Sequence, residues 1–182
     1  MTIEDDRILS SVAGACIDPA SAAVRKDPGR REYRPSVQWT LPGFHESARV
    51  ATSFGDLPVQ ALRKRDPIRT SHGTLAIVER VDKIQLDESF LDANPDALPI
   101  RIQAGSFGQS RPKNDLIISP HQKVNISAGQ FGLDFRLARD LIDRPGVTRH
   151  PVSTLCYYTV HCAEPAAVEV EGVCVSIGPK GA

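Results

Sequence analysis

From Val37 onward, apolar and polar residues alternate with a period of two, and turn residues interrupt the pattern about every ten positions. Arg49-Val-Ala-Thr52 predicts a strand, Ser53-Phe-Gly-Asp56 its turn, and Leu57 to Leu62 the returning strand. Pro67 to Thr70 predicts another short strand and Ser71-His72-Gly73 a tight turn. Thr74 to Leu86 reads as a longer strand carrying Leu75, Ile77, Val81, Ile84 and Leu86. Pro99-Ile-Arg-Ile102 and Leu116-Ile-Ile118 continue the series. Within this stretch, helical spacing appears only around Phe135 to Ile142, where Leu137, Leu141 and Ile142 fall on one side. Many short strands without alternating long helices predict an all-β fold, a sandwich or barrel-like arrangement.

Near the end of the chain the pattern specifies a register. Thr154 to Cys162 and Ala167 to Ser176 read as an antiparallel hairpin turning around Glu164-Pro165-Ala166. Cys156 then faces Cys174, Tyr158 faces Gly172, Val160 faces Val170 and Cys162 faces Val168, all apolar or small. The opposite face pairs His161 with Glu169, Thr159 with Glu171, and Tyr157 with Val173. A one-residue slip would bury the glutamates, so burial favours this register and makes Cys156 and Cys174 a cross-strand core pair.

The first 36 residues differ from the rest. Ile8, Leu9, Val12 and Cys16 recur at helical spacing and predict a short amphipathic helix ending before Asp18-Pro19. Pro19 to Pro35 lacks an apolar face and reads as a linker or extended arm. It holds Arg25, Lys26, Arg30, Arg31 and Arg34 against only Asp27 and Glu32, a candidate contact for an acidic partner surface or phosphate, set against a solvated linker. Trp39, flanked by Val37 and Leu41, is expected to anchor this arm to the domain and is counted with the basic run among the candidate partner contacts. The expected organisation is an arm over 1–40, a β domain over 41–178 and a tail over 179–182.

Composition narrows the function without naming it. The length of 182 residues suits one domain with an arm. The 22 basic side chains balance 22 acidic ones, which argues against nucleic acid or an anionic membrane surface as the partner of the whole chain. The 14 prolines and 13 glycines fit many short elements rather than a helical bundle. There is no apolar run of the roughly 18 to 20 residues that spans a bilayer, and the start, Met1-Thr-Ile-Glu-Asp-Asp-Arg, is acidic where a secretory signal is basic. A cytoplasmic location is the expectation. The four cysteines, Cys16, Cys156, Cys162 and Cys174, show no Cys-x-x-Cys spacing and are far too few for a disulfide scaffold.

Several phrases fall in one order: Gly43-Phe44, Arg49-Val-Ala-Thr52, Gly55-Asp-Leu-Pro-Val-Gln-Ala-Leu62, Asp66, the turn at Gly73, Ile100-Arg-Ile102 with Ala104-Gly105, Asp115-Leu-Ile-Ile-Ser-Pro120, and Tyr157-Tyr158 through Val170-Glu-Gly172. That order resembles the bacterial Hint (hedgehog/intein) domain, in the branch with a Ser-Pro box, over about Leu41 to Ser176. The resemblance implies a compact β horseshoe with two pseudo-symmetric halves. It also implies a chemistry. Active members begin with a Cys or Ser that attacks the preceding carbonyl, and carry a Thr/Ser-x-x-His box whose imidazole protonates the leaving nitrogen.

At the matching positions this chain departs from that pattern. Gly43, after Pro42, stands at the nucleophile's place. The box reads Ser119-Pro120-His121-Gln122, with Gln122 at the histidine's place and His121 one residue early, an offset that on a strand would turn the ring to the opposite face. Pro165 stands where this branch has a further histidine. His45 and Ser47 are the nearest alternative nucleophile candidates, with Ser47 in an expected turn. Val160-His161-Cys162 resembles an intein's His-Asn-Cys junction but lacks the Asn.

The resemblance thus implies a Hint-like domain without autoprocessing activity. Such a domain would serve as a scaffold or protein-interaction module, in a larger assembly, with no cofactor. Two alternatives stand beside it. One is acyl-shift cleavage at Pro42-Gly43; the other is a metal or redox site at the late cysteines with His161. In the derived register His161 points away from the cysteines, so core packing is the favoured reading of the thiols. His72 and His150 read as turn and surface residues, and Arg63-Lys-Arg-Asp66 as a solvated turn.

Overall fold

A computed structural model of the chain describes residues 39–127 and 132–179. The expected helix between Ile8 and Cys16, and the basic run Arg25, Lys26, Arg30, Arg31 and Arg34, lie outside the described residues. Within them, the period-two pattern becomes thirteen strands. In chain order these begin with β1 (Phe44–His45), β2 (Arg49–Thr52), β3 (Gly55–Pro58), β4 (Pro67–Arg69) and β5 (Leu75–Leu86). After the short helix α1 (Glu88–Ala93) come β6 (Ile100–Ile102), β7 (Leu116–Ile118), β8 (Lys123–Asn125), β9 (Phe135–Leu137) and β10 (Val147–Arg149). The chain closes with β11 (Leu155–Cys162), β12 (Ala166–Val170) and β13 (Val173–Ile177).

These strands form one path, β10-β6-β7-β1-β11-β5-β4-β2-β12-β13-β8-β9, with β3 paired to β2. Strand β5 joins its two halves. Leu75 to Ile77 pair with β4, and Val78 to Leu86 pair with β11 in register from Cys162 back to Leu155, with an irregularity between His161 and Cys162. Thr70 bridges Val168, and the Ser71 N–H donates to the Ala167 carbonyl at 2.8 Å, so the path curls back upon itself.

Alternation along β11 separates two hydrophobic clusters. Tyr158, Val160 and Cys162 enter the larger one with Val50, Ile68, Ile100, Leu116 and Val175. Leu155 and Tyr157 face the smaller one, with Trp39, Leu86, Leu91 and Ala97. Helix α1 supplies Phe90 and Leu91 to this smaller cluster. It starts because the Asp87 carboxylate accepts the Phe90 N–H at 2.8 Å. Sequence periodicity passed over α1, since six residues are too few for an apolar stripe to declare itself.

Three expectations need correction. The late hairpin is Ala166–Val170 against Val173–Ile177, and Cys174 pairs with Glu169. Cys156 pairs with Gln85 of β5, so Cys156 and Cys174 are not cross-strand neighbours. On β13 the buried residues are Val173, Val175 and Ile177, one residue out of phase with the expected face. The physical reason is Glu171. It sits at φ 51° before Gly172 at φ 76°, making a two-residue turn of the kind that suits antiparallel strands. Its carboxylate is buried but satisfied, accepting the Arg49 N–H at 3.0 Å and the Asn114 Nδ2–H at 2.9 Å. Burying a glutamate was the penalty that selected the wrong register, and those two donors remove it.

The second correction concerns the expected helix at Phe135 to Ile142. It is strand β9 followed by a single 3-10 turn, Ala138–Leu141, with Ala138 and Leu141 buried. The third is the Ser-Pro box, which is a turn rather than a strand, with the Gln122 N–H donating to the Ser119 carbonyl at 3.0 Å.

Candidate functional site

The segment that precedes β1 runs between β7 and β11, and three backbone carbonyls in a row are held there. The Ser119 hydroxyl donates to the Leu41 carbonyl at 2.6 Å, the Thr159 hydroxyl to the Pro42 carbonyl at 2.8 Å, and the Ser119 N–H to the Gly43 carbonyl at 2.8 Å. The Pro42–Gly43 peptide therefore lies between the box residue Ser119 and strand β11. Phe44 pairs with both Tyr158 and Ile118, which fixes that position.

Ser119 has no exposed surface, and its oxygen is fully used. It accepts the Trp39 Nε1–H at 3.0 Å while donating to Leu41. The Trp39 ring stacks on Tyr157 with centroids 5.5 Å apart and meets Phe90 edge-on at 6.3 Å. Tyr157 in turn donates its hydroxyl to the Ala97 carbonyl at 3.0 Å, and burial pushes its phenol well above the usual range. Trp39 is thus buried against Tyr157 and Phe90 and tied to Ser119, and as a buried residue it offers little surface to a partner.

Gly43 is buried and closely packed. A Cβ there would lie 3.2 Å from the Tyr157 Cβ and 3.4 Å from the Thr159 Oγ1. Gln122 is also buried, and its amide Nε2–H donates to the Ser176 carbonyl at 2.8 Å. A small pocket of about 160 Å³ opens beside it, lined by Pro42, Gln122, Thr159, His161 and Ser176 among others. Sequence reasoning did not place Thr159 or His161 here. Both lie on the face of β11 that carries Tyr157, and nothing in the local pattern marks a threonine on a strand as the partner of a proline carbonyl 117 residues away.

His121 lies apart from that pocket. The turn directs Gln122 inward and leaves His121 half-buried beside Pro120, with its Nε2 3.5 Å from Arg139 Nη1. Burial, and then the Arg139 charge, hold its pKa below the usual histidine value, against the pull of Asp96 and Asp140. Pro165 is exposed in the loop before β12. His45 Nδ1 accepts the Ser47 N–H at 3.2 Å and lies 2.9 Å from the Ser47 hydroxyl, an exposed local turn.

The late cysteines are dispersed. Cys162 is buried in the larger cluster, Cys156 packs at its edge, and Cys174 lies across from Glu169. Burial pushes the Cys162 and Cys174 thiols up, which keeps them protonated. His161 Nε2 lies 3.2 Å from Asp82 Oδ2, on a carboxylate that also pairs with Arg80. Among the described residues no three metal-ligating side chains converge, and no helix is long and apolar enough to cross a membrane.

Comparison with known proteins gives a family and a set of folds. The Hint domain profile matches residues 42–176. No curated protein matches the chain by sequence. Among solved structures, the MchDnaB-1 intein is 10% identical, with 74% of this chain and 99% of that one covered and a TM-score of 0.46. The DnaB intein from Synechocystis sp. PCC 6803 is 9% identical, with 76% and 99% covered and a TM-score of 0.49. A variant of the AceL NrdHF class 3 split intein is 13% identical, with 76% and 98% covered and a TM-score of 0.48. With the profile covering nearly all of the described strands, this chain belongs to the Hint domain family.

Proposed function

We propose that this is a Hint domain of the Ser-Pro-box branch that no longer carries out acyl-shift chemistry and serves as a folded scaffold or protein-interaction module. Gly43 carries the reading. Without a thiol or hydroxyl at that place there is no group to attack the Pro42 carbonyl, and a Cβ there would already press on Tyr157 at 3.2 Å. Two further observations support it. The Gln122 amide is committed to Ser176, and the neighbouring imidazole of His121 faces a different pocket. The Ser119 hydroxyl is held between Trp39 and Leu41 as a structural tie. The proposed partner is a protein, met through the basic run Arg25, Lys26, Arg30, Arg31 and Arg34, within an assembly in the cytoplasm.

One observation favours acyl-shift cleavage at Pro42–Gly43 instead: the Thr159 hydroxyl donates to the Pro42 carbonyl and would polarise it. Intact mass of the full chain after incubation with dithiothreitol separates the two readings. The expected result is one unchanged mass, for the natural sequence and for Gly43→Cys. Fragments split between Pro42 and Gly43 in the natural sequence would overturn the proposal.

A further inference from the structure

On the other side of the Ser119–Gln122 turn lies a second pocket, of about 320 Å³, within the size range of small-molecule sites. Its polar groups come from distant parts of the chain. His121 comes from the turn, Arg139 from the 3-10 turn after β9, Arg149 from the end of β10, Asp96 from the loop before β6, and Thr40 from the incoming segment. We propose that this pocket binds a tetrahedral oxyanion, a phosphate or sulfate, free or as the monoester of a small molecule.

The first argument is charge. Two guanidinium groups and an imidazole converge, and the carboxylates near them are weakly engaged. Asp96 reaches Arg149 at 3.4 Å with its side chain 84% exposed, and Asp140 reaches Arg139 at 3.6 Å with its side chain 56% exposed. Long, exposed pairs of this kind contribute little and yield readily to a better partner. A guanidinium offers paired donors matched to phosphate or sulfate oxygens. Donors arriving from three separate segments suit an anion with oxygens in three directions, whereas one arginine suffices for a planar carboxylate.

The second argument is the contact between Arg139 and His121. Arg139 Nη1 lies 3.5 Å from His121 Nε2 with no carboxylate between them. His121 is half-buried beside the exposed Arg139, and burial, then the Arg139 charge, disfavour the imidazolium. An anion in the pocket that contacts both groups would give the protonated ring a counter-charge and favour the imidazolium. Binding and His121 protonation are therefore linked, and affinity rises as pH falls. The charged groups that set this balance are Arg139, Arg149, Asp96 and Asp140. The site uses neither Gly43 nor Gln122, so it stands whether or not the Pro42–Gly43 bond is ever cleaved.

The test is NMR of the histidine ring resonances of the full chain. Sodium sulfate is titrated against sodium chloride at equal ionic strength, with phenyl phosphate and acetate as parallel arms. Sulfate keeps its charge between about pH 6 and about pH 8, so a change in affinity there reports the protein's own protonation. The expected result is a saturable movement of the His121 signal by sulfate, tighter at the lower pH and much weaker for acetate. Tighter phenyl phosphate binding identifies a monoester as the ligand, and equal or weaker binding identifies the free ion. Arg139→Gln and Arg149→Gln should each weaken sulfate binding about tenfold, as expected for loss of a charge-assisted hydrogen bond, and thermal unfolding without ligand should show both variants folded. Three results would overturn the proposal: no sulfate effect beyond chloride, the same effect in both variants, or acetate binding as well as sulfate.

Discussion

Replacing Ser119 by Ala removes a single oxygen, yet that oxygen joins three parts of the structure. It accepts the Trp39 indole N–H, donates to the Leu41 carbonyl, and lies 3.3 Å from the His121 N–H. Ser119 is wholly buried and Trp39 is 7% exposed, so the indole N–H would lose its partner in a largely buried setting. Leaving such a donor unsatisfied costs about 1–3 kcal/mol. The Leu41 carbonyl would lose its partner as well, in a partly buried setting. The expected loss is about 2 kcal/mol, well beyond the roughly 0.5 kcal/mol of an ordinary surface change. Trp39 is the only tryptophan, so its fluorescence reports directly on the region during urea unfolding, with far-UV circular dichroism as the global probe. The slope with urea should stay constant while the midpoint falls. Trp39→Phe removes the donor, so Ser119→Ala in that background should cost less by about 1–2 kcal/mol, a coupling that belongs to this bond. A loss below about 0.5 kcal/mol for Ser119→Ala, or no coupling to Trp39→Phe, would refute the view that the box hydroxyl is a structural tie.

Two further outcomes follow from the same geometry. Burial lowers the pKa of His45, opposed by Glu46 and aided by His150, while burial and then Arg139 lower that of His121, opposed by Asp96 and Asp140. Below the ordinary value of 6.5 the unfolded chain takes up protons that the folded chain refuses, so stability falls as pH drops through that value toward the lower folded values. The midpoint of thermal unfolding should therefore decline on acidification, and His45→Gln with His121→Gln should flatten the decline; an unchanged slope in that double variant would contradict the assignment. Because Cys156 pairs with Gln85 and Cys174 with Glu169, peptide mapping after mild oxidation of the folded protein should find no Cys156–Cys174 crosslink. Finding that crosslink would restore the rejected hairpin.

What the sequence determined by itself was local or chemical in kind. Period-two alternation located β2, β4, β5, β6 and β7 close to where they lie, because alternation is a property of each strand and needs no partner. The ordered phrases, from Gly43-Phe44 through Asp115 to Pro120 and on to Gly172, carried the family, because a family is recognised by which residue types recur in which order. Partnership was decided only by tertiary structure. The apolar face of β11 was read correctly from Tyr158, Val160 and Cys162, but its partners are β5 and β1, because a strand alternates in the same way whichever neighbour it takes. Glu171 could be placed only once Arg49 and Asn114 were seen to satisfy it. The same holds for Thr159 on the Pro42 carbonyl and for the arginines around His121. Each depends on segments far apart in the chain meeting at one point, and spacing along the sequence carries no signal of that meeting.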